Sequence, residues 1–172
     1  NYGMKAPTFR TNMLQKSQGA IALESKEAKR FLNTYHKLFP EINQWHNETV
    51  ERLKETRTLK NLFGYPRYFT GIIDESMYKE AYAFVPQSTV GCITNLAFVE
   101  LQNRQDLQEL GVDVLQNNHD SVLLQCAPEH SEFVAQEAMK HLNREMISPR
   151  GERFSMRSEA MIGDNWKEMI DV

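Results

Sequence analysis

The stretch "VDVLQNNHDSVLLQC", residues 112–126, constrains the fold more than any other. Two runs of strand length, 112–117 and 121–126, lie either side of a polar interruption that holds Asn117, Asn118, His119, Asp120 and Ser121. A connection this short joins antiparallel neighbours, because parallel strands need a crossover of a dozen or more residues. Asn, Asp and Ser suit such a turn, since their side chains bond nearby backbone and tolerate left-handed conformations. A turn between rigid strands is also a good place to hold a carboxylate ligand at an exposed edge. The residues alone leave both readings open.

Around this hairpin the pattern is mixed. A short helix is expected from about Ala6 to Gln18. In "LESKEAKRFLNTYHKLFP", Ala28, Phe31, Leu32, Tyr35, Leu38 and Phe39 recur at helical spacing, with Ser25 as cap and Pro40 as stop. Ile42, Trp45, Thr49 and Leu53 predict a second amphipathic helix. "TLKNLFGYPRYFTGII" then reads as a hairpin, followed by a short helix from Met77 to Val85. Pro86 suits the first turn of a new helix, with Val90, Ile93, Ala97, Phe98 and Leu101 inward. Residues 129–146 carry one more helical stripe, and "RFSMRSEAMIGDNW" alternates as a third strand. Strands adjoin in hairpins instead of alternating with helices, so the fold class is α+β with a small antiparallel sheet.

Composition excludes some functions. With 172 residues and 41% hydrophobic content the chain supports one core and is not disordered. The uncharged run 81–99 has nearly the length of a membrane span, but Pro86, Gln87, Ser88 and Asn95 make it a buried helix with a polar edge. No membrane association is expected. The start, "NYGMKAPTFR", has neither a signal-peptide core nor an initiator Met, which predicts a chain that begins inside a longer product or after a cut. Cys92 and Cys126 show no metal or redox spacing and read as reduced, buried thiols, consistent with a cytoplasmic protein. The net charge of −3 is uneven: residues 1–60 hold 11 Lys/Arg against 6 Asp/Glu, whereas 101–172 hold 7 against 13. A basic first third beside an acidic remainder suits a polyanion held by one part and metal-binding acids in the other.

Five segments, in order along the whole chain, resemble the C-terminal part of a family A DNA polymerase, the family of bacterial DNA polymerase I and many phage replicases. "NYGM" at 1–4 is similar to the Tyr-Gly end of the fingers helix, and "NLFGYPRY" at 61–68 to the Leu-Phe-Gly-Arg-Arg hairpin. "KEAYAFVPQSTVGCI" at 79–93 resembles the segment with a minor-groove Gln, in wording closer to phage members. "VLQNNHDSVLLQCAPE" at 114–129 resembles motif C, and "IGDNW" at 162–166 the closing Gly-Glu-Asp-Trp.

This resemblance implies a small antiparallel palm sheet with a motif C hairpin, packed by several helices. Residues 1–172 would form a single unit, with 1–60 the helical end of the fingers and 61–172 the palm. Asp120 would be one of two aspartates that hold two Mg²⁺ ions, with His119 setting the turn and approaching the primer end. Tyr2 and Gly3 would lie at the template and nucleotide, and Gln87, Lys79 and Arg67 at DNA. Trp166 would pack the C-terminal strand. Primer-template DNA and dNTP would be the partners, in the cytoplasm, of the host cell if the gene is viral.

The match also fails in places. Ser121 stands where the family has Glu, Ala83 where it has Asn, Lys79 where it has Arg, and Tyr65 and Pro66 interrupt the arginine pair beside Arg67. Motif A, with the first metal-binding Asp, is not in the sequence. The isolated chain is therefore expected to be inactive and to need an upstream N-terminal polymerase portion, split, cleaved or omitted. Two other readings compete. One is a non-catalytic DNA-binding palm relic or structural replication subunit. The other is a His-Asp metal phosphohydrolase that recruits His36 or His46, which the placement of His119–Asp120 between strands disfavours.

Overall fold

The computed structural model describes residues 3–172. They fall into two compact units, one ending at Pro86 and the other beginning at Gln87. This division lies later than the step at residue 60 that charge and motifs suggest.

The first unit opens with three helices, α1 (Ala6–Lys16), α2 (Ser25–Leu38) and α3 (Pro40–Thr56). The cap of α2 is Glu24 instead of Ser25: the Glu27 carboxylate reaches back to accept the Glu24 N–H at 2.8 Å. Pro40 ends α2 and also starts α3, where its missing N–H costs nothing. After Arg57, which closes α3 in the left-handed region (φ 53°), comes the expected hairpin of β1 (Thr58–Lys60) and β2 (Pro66–Tyr68). Its tip is organised by Asn61, whose side-chain oxygen accepts the N–H groups of Phe63 and Tyr65 at 3.0 Å each. Leu53, Leu59, Phe69, Met77 and Ala81 are buried together as this unit's core.

Helix α4 (Glu75–Gln102) corrects the sequence expectation of two helices meeting at Pro86. Proline's φ is already helical. Its lost hydrogen bond and ring clash are outweighed by apolar burial on both sides, from Ala81 (0% exposed) to Ile93 and Ala97 (4% and 0%).

In the second unit, the rest of α4 is followed by α5 (Gln105–Glu109), β3 (Asp113–Asn118), β4 (Ser121–Gln125), α6 (Ser131–Leu142), β5 (Glu145–Ile147), β6 (Arg153–Ser155), β7 (Met161–Ile162) and β8 (Ile170–Asp171). Leu101, Leu107, Val112, Val134 and Ala138 form its core, with Val114, Val122 and Leu124 packed against them from the β3–β4 ladder. The predicted third strand is two short ones, β6 and β7, each paired antiparallel with a neighbour of its own. Trp166, expected to pack the C-terminal strand, is 59% exposed in the β7–β8 connection. Both cysteines are free. No described helix is long and apolar enough to cross a membrane.

Candidate functional site

The opening stretch forms the hairpin its pattern predicts. Strands β3 and β4 pair from Asp113↔Gln125 to Asn118↔Ser121, with a bulge between Val114 and Gln116. Between the strands, His119 and Asp120 form a two-residue loop. His119 takes the left-handed conformation (φ 59°), which His adopts more readily than most side chains. The Asp120 N–H donates to Asn118 O at 2.8 Å, and the Ser121 hydroxyl donates to the same oxygen at 3.2 Å.

These bonds fix the loop through backbone and leave its acid free. The Asp120 carboxylate is exposed and makes no hydrogen bond or ion pair among the described residues. An unpaired carboxylate on a rigid loop is a hard oxygen donor of the kind Mg²⁺ takes, and Mg²⁺ is usually bound through one or two carboxylates together with substrate phosphates and water. Among the described residues no three His, Cys, Asp or Glu side chains gather into a metal-binding group. A single exposed carboxylate such as Asp120 suits one position in the shell of a hard cation.

Sequence reasoning missed the tie that holds this hairpin in place. The Asn117 side-chain amide donates to the Asn95 oxygen of α4 at 2.5 Å. A signal existed, because Asn95 is a polar residue two helical turns beyond Gln87 in an uncharged stretch. Gln87 itself is exposed on α4.

The remaining predicted residues lie in the first unit. Tyr2 is outside the described residues. Gly3 has φ +76°, and a Cβ there would stand 3.3 Å from the Tyr82 ring. Tyr82 in turn stacks on His46 with ring centroids 4.0 Å apart, and burial pushes its hydroxyl pKa up. Lys79 is exposed on α4, with its Cγ 3.9 Å from the same Gly3 position. Arg67 is already engaged: it pairs with Glu80 at 2.7 Å and lies over the Phe69 ring at 4.7 Å.

A second polar centre, also unforeseen, ties α6 to the end of α4 and the start of α5. Arg104 meets Glu137 at 2.9 Å and also pairs with Asp106, whose carboxyl it holds down at about 2. His141 sits between Glu100 (2.8 Å) and Arg104 (3.3 Å). Arginine only donates, so His141 Nε2 accepts and Nδ1 carries the proton toward Glu100.

Comparison with known proteins fits this geometry. A sequence model of the family described as DNA polymerase family A matches residues 2–168. The chain is 28% identical over 152 residues to "DNA polymerase I, thermostable" of Thermus aquaticus, covering 85% of this chain and 18% of that protein. It is 24% identical over 148 residues to DNA polymerase theta of Caenorhabditis elegans, covering 84% and 9%. It thus spans about a fifth or less of the curated relatives it matches. In three dimensions it resembles the POL domain of Pol1 from M. smegmatis, solved in complex with a DNA primer-template and dNTP. The TM-score is 0.64 at 17% identity, over 83% of this chain and 25% of that one, which establishes the shared fold.

Proposed function

This chain belongs to DNA polymerase family A, and on that premise we propose that it is the C-terminal part of a template-directed DNA polymerase, with 1–60 the end of the fingers and 61–172 the palm. The single observation that carries the reading is the His119–Asp120 loop. It presents an exposed, unpaired carboxylate on a backbone-fixed turn, inside a chain matched by the family from residue 2 to 168.

In the proposed reaction the primer 3′-oxygen forms a bond to the α-phosphorus of a dNTP. The bond to pyrophosphate breaks and the hydroxyl proton passes to water. Family A polymerases are generally metal-dependent, and the ions taken here are two Mg²⁺. Asp120 would hold such an ion, which when bound would supply Lewis-acid activation of the hydroxyl and charge neutralisation at the leaving group. Asp120 contributes one ligand. The second aspartate comes from motif A on an upstream portion of the polymerase, without which the isolated chain is inactive.

His119 sets the turn and approaches the primer end. Gln87 meets minor-groove acceptors, which sit at similar places for every base pair and so report shape more than sequence. Lys79 meets the DNA backbone or minor groove and Arg67 the DNA phosphates, and Tyr2 and Gly3 border the templating base and incoming nucleotide. The place of action is the cytoplasm, of the host cell if the gene is phage-borne.

One observation favours a palm relic that binds DNA without turnover: Ser121 supplies no charge and spends its hydroxyl on Asn118 O. Primer extension with Mg²⁺ by the polypeptide that joins this chain to its upstream portion separates the two, wild type against Asp120→Ala. Loss of incorporation with DNA binding retained supports the polymerase. No incorporation by the wild type, or equal incorporation by both, leaves the relic.

A further inference from the structure

Much of the charge excess of the first third of the chain resolves into one helix face. Lys26, Lys29, Arg30, Asn33 and Lys37 of α2 are all exposed and line one shallow crevice. At 3.6 residues per turn they fall within an arc of roughly 100°. The opposite side of α2 carries fully buried Ala28 with half-buried Leu32 and Tyr35. The helix thus turns Ala28, Leu32 and Tyr35 inward, while its outer arc carries four cations and one neutral amide.

No acid interrupts the basic arc. Glu27, at its flank, is turned to the helix start, where it accepts the Glu24 N–H. None of Lys26, Lys29, Arg30 and Lys37 forms an ion pair among the described residues. Lys26 and Arg30 are i,i+4 neighbours of like charge, a spacing that weakens a helix. A face that is merely solvated intersperses both signs, which avoids that repulsion. From Lys26 to Lys37 the helix rises about 16 Å, the run of about five phosphates on one strand of a duplex.

We propose that this face of α2 is a docking surface for the phosphodiester backbone of a nucleic acid, additional to the residues placed at the primer terminus. The polymerase reading enters only in choosing a nucleic acid over an acidic protein.

The test uses the full-length polypeptide that carries this chain, with Lys26→Gln, Lys29→Gln and Lys37→Gln combined. Fluorescence anisotropy across a salt series is read on three probes: blunt duplex, primer-template with a 5′ overhang, and single strand. Expected is an affinity loss of about tenfold near 0.1 M salt, with the log–log salt slope reduced by about 2–3, one increment per lost phosphate contact. The probe that loses most identifies which strand lies on α2. The matching Lys→Arg triple variant should keep wild-type binding, which separates loss of charge from loss of fold. An unchanged slope and affinity on all three probes overturns the proposal and leaves the basic arc to an acidic protein. The two readings fail separately. A wild type that does not extend primers, with the slope still falling in the variant, removes the polymerase and keeps the surface. Normal extension with an unchanged slope does the reverse.

Discussion

Asn117 donates to Asn95 at 2.5 Å, so β3 is tied to α4 two residues before the His119–Asp120 loop begins. Asn95 is exposed and Asn117 half-buried, and a neutral hydrogen bond in that setting contributes about 0.5–1 kcal/mol. Asn95→Ala and Asn117→Ala should each lower unfolding free energy by about that much. The double variant should cost less than the sum, because both changes delete one bond. Denaturant midpoints of the four proteins give the coupling. In primer extension the same variants should reduce turnover more than primer-template affinity, since small displacements of a reacting group are felt mainly in the chemical step. Additive stability losses would show that the bond contributes nothing.

How far the sequence revealed this fold depended on where each interaction lies. The β3–β4 hairpin was legible because its signals are local: two apolar runs, and Asn and Ser where a turn wants them. The α3 helix and the β1–β2 hairpin were legible for the same reason. Helix α4 was not, because Pro86 reads locally as a start while burial on both sides of it decides the outcome. Trp166 carries no local signal of exposure and was misjudged. The tie from Asn95 to Asn117 and the bonds of His141 to Glu100 and Arg104 join residues 22 to 41 positions apart, and no pattern of period two or 3.6 registers such pairs. Of the candidate site, the sequence revealed the turn that carries Asp120. The engagement of Arg67 by Glu80 is a tertiary contact and was not foreseen.

Arg67 is proposed to meet DNA, yet its guanidinium is shared with Glu80 at 2.7 Å while half exposed. Removing the acid should release it. Glu80→Gln is expected to raise primer-template affinity about twofold to threefold at low salt, the scale of one exposed ion pair. The gain should vanish at high salt and in the Arg67→Gln background. A gain that persists without Arg67 would assign it to bulk charge instead of to this side chain.

Gly163 is required by close approach. A Cβ at this position would stand 2.4 Å from Glu168 O and 2.9 Å from the Met169 Cα, all backbone atoms that cannot rotate away. The β7–β8 connection would have to open. Gly163→Ala should therefore destabilise by about 1–3 kcal/mol, the range for forcing atoms into filled space. The loss should be local, with faster amide exchange at Ile162 and Ile170, whose pairing closes the ladder. Unchanged exchange there would mean that the connection has slack the distances do not suggest.

Glu137 gives the second unit a defined response to acid. Its side chain is 11% exposed and meets both Lys140 and Arg104, which together hold its carboxyl below the ordinary value of 4.5. Arg144 and His141 do the same for Glu100, which is more open to solvent. A carboxylate depressed in the folded state stabilises at pH above its unfolded value, and that contribution is lost as pH falls through the folded one. Unfolding free energy should thus be flat from neutrality to about pH 5 and then decline. Glu137→Gln should cost about 1–2 kcal/mol at pH 7, the scale of a hydrogen bond to a charged group reduced for Arg104's remaining partner Asp106. It should cost less at acid pH, below the lowered folded value, where the wild-type carboxylate takes up its proton. Equal cost at both pH values would show that Glu137 acts by shape and packing, not by charge.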